Sequence, residues 1–386
     1  MTDTPNSSRL HITFLGERNS GKSSLLNALT GQSVAIVSPT AGTTTDCVTK
    51  AMELPGLGAC LLTDTAGVDD EGELGEQRVQ RTREALRDAD IVVAVTDAQT
   101  LRIPEVPAGK ALVSVINKCD LISPQRLAEA VAEIKRKHGK APIIAQAINN
   151  KGIPELIRAL QEAVPEDWDA PLLTKDILNE GDLAVLVMPQ DSQAPKGRLI
   201  LPQQQTIREL LDRGCRTVCC TTALLKNTLD SLKEAPKAII TDSQEFAAVK
   251  ELTPEGVTLT SFSILLAASK GDIEYFKKSA RKIDSLTENS KVLIAEACTH
   301  SPASEDIGRV KIPRMLRKKA GEGLQIDVVS GRDFPEDLTP YSLIIHCGAC
   351  MFNRRYVLSR VRQAKEQGVP MTNYGVTIAY IKKLFK

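Results

Sequence analysis

The sequence predicts an α/β chain of three domains: an N-terminal P-loop domain with a doubly wound, mostly parallel sheet, then two smaller α/β domains. Three observations predict it. Apolar strand-like runs alternate with helical patterns from about residue 10 to 163, the pattern of a parallel sheet covered by helices on both faces. A GxxxxGKS motif stands between the first strand and the first helix. Residues 164–174, VPEDWDAPLLT, break the pattern with two prolines, after which strand–helix alternation resumes.

The first domain, residues 1–168, reads HITFL (strand), SSLLNAL (helix), CLLTD, DIVVAVTD and ALVSVIN (strands), PQRLAEAVAEIKRKHG (helix) and APIIAQAI. The second, residues 175–260, reads LAVLVMP, QQTIRELLDRG, RTVCC, TALLKNTLDSLKE, KAIITD and QEFAAVKEL, again alternating strand and helix. It carries no catalytic motif. It reads as a structural or oligomerisation module whose exposed edge strand is available to a second copy, with Cys219 and Cys220 expected in its core. The third, residues 261–386, begins with the helical run GDIEYFKKSARKIDSL. Strands KVLIAEA, LQIDVVSG and YSLIIH follow, with a basic helical run, DIGRVKIPRMLRKKAG, between the first two. The helix NRRYVLSRVRQAKEQG, then VPMTNY and a last helix, complete it.

Bulk composition excludes some classes. The chain has 386 residues, 42% hydrophobic and 25% charged, ordinary for globular proteins. A formal charge of +1 gives no reason to expect nucleic acid or an acidic membrane as partner, and 3% aromatics argues against base-stacking surfaces. The N-terminus lacks a basic segment followed by an apolar core, and no apolar run reaches the ~20 residues that span a bilayer. The expected compartment is the cytoplasm. Nine cysteines, an odd number, make a poor disulfide framework.

Gly16 and Gly21 of the phosphate loop let backbone N–H groups wrap phosphates without Cβ clashes, and the helix N-terminus adds partial positive charge. Lys22 reaches the β- and γ-phosphates, and the Ser23 hydroxyl ligates Mg²⁺. Ser20 and Ser24 complete the phosphate-binding set. Asn117-Lys118-Cys119-Asp120 follows an apolar strand, and the Asp120 carboxylate is matched to the N1–H and N2–H₂ edge of guanine. Asp64-Thr65-Ala66-Gly67 ends another strand. Asp64 holds Mg²⁺ through water and the Gly67 N–H senses the γ-phosphate. Residues 42–46, GTTTD, supply Thr44 to close over Mg²⁺. Lys22, Thr44, Asp64 and Gly67 are thus the expected catalytic set for hydrolysis of GTP to GDP and phosphate.

These four elements resemble the TrmE–Era class of GTPases. In the fifth position that class has a Ser-Ala pair. Here the segment is Ala145-Gln146-Ala147, so only Ala147 matches, offering its N–H to the guanine oxygen. Asn19 stands where potassium-activated members of the class bind K⁺ beside the phosphates, so the resemblance implies a K⁺ site there. No glutamine follows the DTAG run, so water activation is unassigned and slow hydrolysis is expected.

Two half-motifs remain. Cys298-Thr299-His300 follows KVLIAEA, and His346-Cys347-Gly348-Ala349-Cys350 ends YSLIIH. Strand, helix, strand and strand in right-handed parallel order place both beyond the carboxyl ends of one sheet, the edge where open α/β sheets bind ligands. Three thiolates and a variable ligand suit a 4Fe–4S cluster with one replaceable iron ligand. Cys₃His is equally a structural zinc set, which leaves open a GTPase with a zinc domain acting in ribosome or RNA assembly.

CxH and HCxxC carried C-terminal to such a GTPase, with residues 194–202, APKGRLILP, in the middle segment, resemble the FeFe-hydrogenase maturation GTPases, the HydF family. The resemblance implies a GTP-binding domain, a dimerisation domain and a domain holding a 4Fe–4S cluster through Cys298, Cys347 and Cys350. His300 or His346 would be a weak fourth ligand. It implies a homodimeric scaffold that carries the diiron precursor of the hydrogenase active site to apo-FeFe-hydrogenase, with two radical-SAM maturases as further partners. Arg309, Lys311, Arg314, Arg317, Lys318, Lys319, Arg354 and Arg355, around the half-motifs, would favour an anionic diiron fragment.

Overall fold

The structure, a computed structural model, describes residues 4–31, 48–65, 73–166, 168, 172–189, 199–297, 306–331, 333–350 and 352–383. The chain divides into two compact units, residues 1–169 and 170–386. The division falls inside the proline-bearing stretch 164–174.

The first unit runs β1 (Leu10–Leu15), α1 (Lys22–Thr30), β2 (Val48–Leu54), β3 (Gly58–Asp64), α2 (Glu73–Asp88), β4 (Ile91–Asp97), β5 (Ala111–Asn117), α3 (Pro124–His138), β6 (Ile143–Ile144) and α4 (Ile153–Glu162). Its six strands lie in the order β2-β3-β1-β4-β5-β6, all parallel except β2 against β3. β4 is buried at every residue, as a central parallel strand covered on both faces must be. β2 alternates half-buried and exposed residues, as an edge strand does.

The second unit runs β7 (Leu183–Val187), α5 (Leu201–Asp212), β8 (Arg216–Cys220), α6 (Leu225–Ser231), β9 (Ala238–Thr241), α7 (Phe246–Leu252), β10 (Thr258–Ser261), α8 (Phe262–Lys270), α9 (Ile273–Ala280), β11 (Lys291–Ala295), α10 (Ile312–Ala320), β12 (Gln325–Val329), β13 (Leu343–His346), α11 (Arg354–Glu366), β14 (Met371–Asn373) and α12 (Tyr374–Ile381). Two parallel sheets result, ordered β10-β9-β7-β8 and β12-β11-β13-β14. The order of succession is the same in both: the first strand sits between the second and the third, and the fourth lies outside the third. The strand order therefore reverses between β7 and β9 in one sheet, and between β11 and β13 in the other.

α8 joins the two sheets. Phe262 and Leu265 lie in the core of the first with Leu186, Leu210 and Ile240, while Ala267 belongs to the core of the second. Two expectations change. Cys219 is exposed and Cys220 half-buried, because β8 is an edge strand rather than a central one, in keeping with the polar Arg216 and Thr217 that open it. The long helical run 306–321 is broken, a π-helical turn (Ile307–Lys311) preceding α10.

Candidate functional site

In the first unit the chain turns between β1 and α1 over residues 16–21. Gly21 caps α1 at φ 89°, and a Cβ on it would fall 2.1 Å from Asn117 Nδ2. A Cβ on Gly16 would fall 2.4 Å from Val95 O. Both motif glycines are thus required by close approach. Asn19 is exposed, at φ 62°. The Lys22 ammonium is buried and donates to Gly16 O (2.9 Å) and Glu17 O (2.7 Å), lying back across the loop.

Ser23 Oγ donates to Asp64 Oδ2 at 2.5 Å. Among the described residues the other Asp64 oxygen, Oδ1, is buried without a hydrogen-bond partner. Burial pushes the Asp64 carboxyl above its usual range, against the opposing pull of the Ser23 bond and the Lys22 charge. A hydroxyl, a buried carboxylate and an orphaned oxygen fit a hard cation such as Mg²⁺, which takes oxygen ligands. Thr44 and Gly67 lie outside the described residues.

At the base end, buried Asn117 acts as a staple. Its Nδ2 donates to Ser20 O (3.1 Å), and its Oδ1 accepts from the Ala147 N–H (3.1 Å). The Ala147 N–H, expected for the guanine oxygen, is therefore given to Asn117. Lys118, at φ 61°, donates to Asp97 Oδ2 at 2.7 Å. Asp97 ends β4 directly beside Asn117 on β5, a neighbour that only the parallel register reveals. Asp120 is exposed at the start of the next turn, as a base-reading carboxylate must be.

The thiol site lies in the second unit. β11 pairs with β13 so that Ala295 sits opposite His346, at the point where the strand order reverses. Cys347 and Cys350 follow β13 and are half-buried. Cys347 Sγ accepts from the Ala297 N–H (3.0 Å) and lies 3.4 Å from the Ala349 nitrogen. Ala297 is the residue before Cys298 in sequence, and its backbone touches the Cys347 sulfur. Cys298 and His300 themselves lie outside the described residues, and among the described residues no three His, Cys, Asp or Glu side chains gather as a metal set. Burial pushes the Cys350 thiol up, and the Lys270 charge opposes that. Two soft sulfur donors at a sheet's ligand-binding edge, one already held by N–H groups, fit a thiolate-bound metal group.

His346 has a different place from the one expected. It is fully buried; Nδ1 lies 2.7 Å from Cys347 O and Nε2 3.0 Å from Arg360 Nη1. The guanidinium can only donate, so Nε2 accepts and Nδ1–H donates. Both ring nitrogens are committed, and His346 offers no lone pair to a metal. Several of the basic residues are also engaged. Arg309 pairs with Glu296 (3.0 Å) and with Ser330, Lys311 bonds Gln244, Lys319 pairs with Asp284, and Arg354 Nε donates to Ser269 O (3.0 Å). Sequence reading missed Glu296, buried one residue before Ala297, and Lys270, which no motif marks.

No helix among the described residues is long and apolar enough to cross a membrane. Residues 173–271 match the hydrogen maturase F dimerization domain, residues 274–386 the hydrogen maturase F tetramerization domain, and residues 11–150 the 50S ribosome-binding GTPase domain. The first two together span more than half the chain. Among curated relatives, tRNA modification GTPase MnmE of Moorella thermoacetica is 38% identical over 40% of this chain and 35% of its own length. GTPase Era of Aquifex aeolicus is 30% identical over 46% of this chain and 63% of its own. The chain thus spans about a third of the first of these relatives and under two-thirds of the second. A solved structure of Aquifex aeolicus Era bound to GDP·AlF₄⁻ aligns at a TM-score of 0.37 with 22% identity, over 55% of this chain and 92% of that one.

Proposed function

The chain belongs to the hydrogen maturase F family, and from that premise we propose that it is a GTP-hydrolysing scaffold that carries a 4Fe–4S cluster and delivers the diiron precursor to apo-FeFe-hydrogenase. The observation that carries the cluster reading is the Ala297 N–H on Cys347 Sγ at 3.0 Å, which brings the end of β11 against the CxxC segment after β13. Cys298, Cys347 and Cys350 would hold three irons. The fourth iron would be open or weakly held by an exchangeable ligand; the His346 ring is committed elsewhere, which leaves His300 as the remaining histidine of the two half-motifs. The cluster would supply an open iron coordination position for the diiron cargo. The chain's own residues would position the thiolates, as the Ala297 N–H does on Cys347 Sγ.

In the nucleotide domain, Ser23 and Thr44 would hold Mg²⁺ directly and Asp64 through water. The ion supplies charge neutralisation on the β- and γ-phosphates. Lys22 swings from the loop carbonyls to those phosphates, Asp120 reads guanine, and Asn19 would place K⁺ beside them. The GTP state would switch contacts between modules or with the two radical-SAM maturases rather than drive cluster chemistry. We place the end of the middle module after α8, one helix beyond residue 260, because Phe262 and Leu265 pack in its core; residues 1–168 and the remainder to 386 form the other two.

Anaerobic reconstitution with iron and sulfide tests the reading. A visible absorption band and a reduced-state EPR signal are expected. A colourless protein holding tightly bound zinc would instead support a GTPase with a structural zinc domain.

A further inference from the structure

Lys270 ends α8, the last helix of the middle module, and is only 6% exposed. Its ammonium donates to Ala349 O (2.8 Å), Cys350 O (3.3 Å) and Phe352 O (2.7 Å). These carbonyls bracket Cys350. A buried ammonium is costly unless its donors are satisfied, and a methionine would fill the same space without that cost. The loop also needs holding: Ala349 is buried at φ 48°, a left-handed conformation that costs a non-glycine residue about 1 kcal/mol and persists only where neighbours over-determine it. A second clamp lies on the other flank, where Arg354 Nε donates to Ser269 O at 3.0 Å. The last turn of α8 therefore grips the thiol loop on both sides of Cys350.

We propose that Lys270 is the positioning residue of the thiol loop: planted on the middle module, its ammonium fixes the backbone around Cys350 and places a positive charge beside the cluster. The second half of this inference rests on the cluster reading above; the first does not. A fixed positive charge favours the reduced, more negative cluster, so its loss lowers the reduction potential.

The full-length protein and its Lys270→Met, Lys270→Gln and Lys270→Arg variants test both halves. Without metal, hydrogen exchange over residues 347–353 should quicken about tenfold in Lys270→Met, and less in Lys270→Gln, which keeps two donors. Unchanged exchange overturns the positioning role, whatever the site binds. After iron and sulfide reconstitution, both neutral variants should lose iron to a chelator about tenfold faster. Their reduction equilibrium should fall by up to about tenfold, ~59 mV for one electron, with Lys270→Arg near the parent value. Either neutral variant suffices if the other does not fold. Parent-like potential in a neutral variant that holds a cluster overturns the charge role alone. A parent protein that takes up no cluster, with exchange still quickened by Lys270→Met, refutes the cluster reading and its charge role but leaves the clamp standing.

Discussion

Replacing Asn117 by alanine removes two hydrogen bonds at once, one to the phosphate loop and one to the Ala147 turn. At about 1 kcal/mol each, nucleotide affinity should fall about tenfold to thirtyfold, with the sheet intact. Titration with a fluorescent GDP analogue reads the loss, and affinity unchanged within twofold would refute the staple. His346 gives a second residue-scale expectation. His346→Ala leaves the buried Arg360 without one acceptor and should cost about 1.5–3 kcal/mol of stability, while reconstituted iron content stays at the parent level. Iron lost in proportion to ligation, without destabilisation, would restore His346 as a ligand. The motif residues were legible because each acts near its sequence neighbours. Asn117 as a staple, Asp97 beside Lys118, and His346 under Arg360 were not, because each depends on a partner fixed only by register or packing.

At the scale of elements, β8 is the edge of its sheet and carries exposed Cys219. The module belongs to a dimerization domain family, and an edge strand is an available pairing surface. Cys219→Lys should weaken self-association in sedimentation equilibrium, since a charge on an edge strand opposes sheet-to-sheet pairing. An unaffected dimer would place the interface elsewhere. α12 docks partly through Asp284, whose carboxyl is held below the usual range by Lys319 and then by Tyr380. A depressed carboxylate contributes stability above its unfolded pKa, and that contribution is lost as pH falls through the lower, folded value. The second unit should therefore lose stability as pH falls below about 4, and Asp284→Asn should flatten that acid limb in circular dichroism. Helix and strand order was readable from periodicity. Edge against centre had a signal that went unused: LAVLV is wholly apolar, as a strand covered on both faces is, whereas RTVCC opens on Arg216 and Thr217.

Across the whole molecule, sequence order alone predicts two half-motifs at one sheet edge; β11 and β13 do pair in parallel and bring Ala297 to Cys347, while residues 298–300 lie outside the described residues. The end of the middle module was the less legible boundary, because α8 serves two cores and its apolar face does not say which. Cluster binding requires a sulfur from the chain after β11 to meet two from the loop after β13. The measurement that tests this most directly is iron content and reduced-state EPR of the full-length protein carrying Cys298→Ala, beside Cys347→Ala and Cys350→Ala, with GTP turnover followed in the same samples. Loss of the 4Fe–4S signal in all three with turnover retained is the predicted result. A parent-like cluster in Cys298→Ala would contradict it.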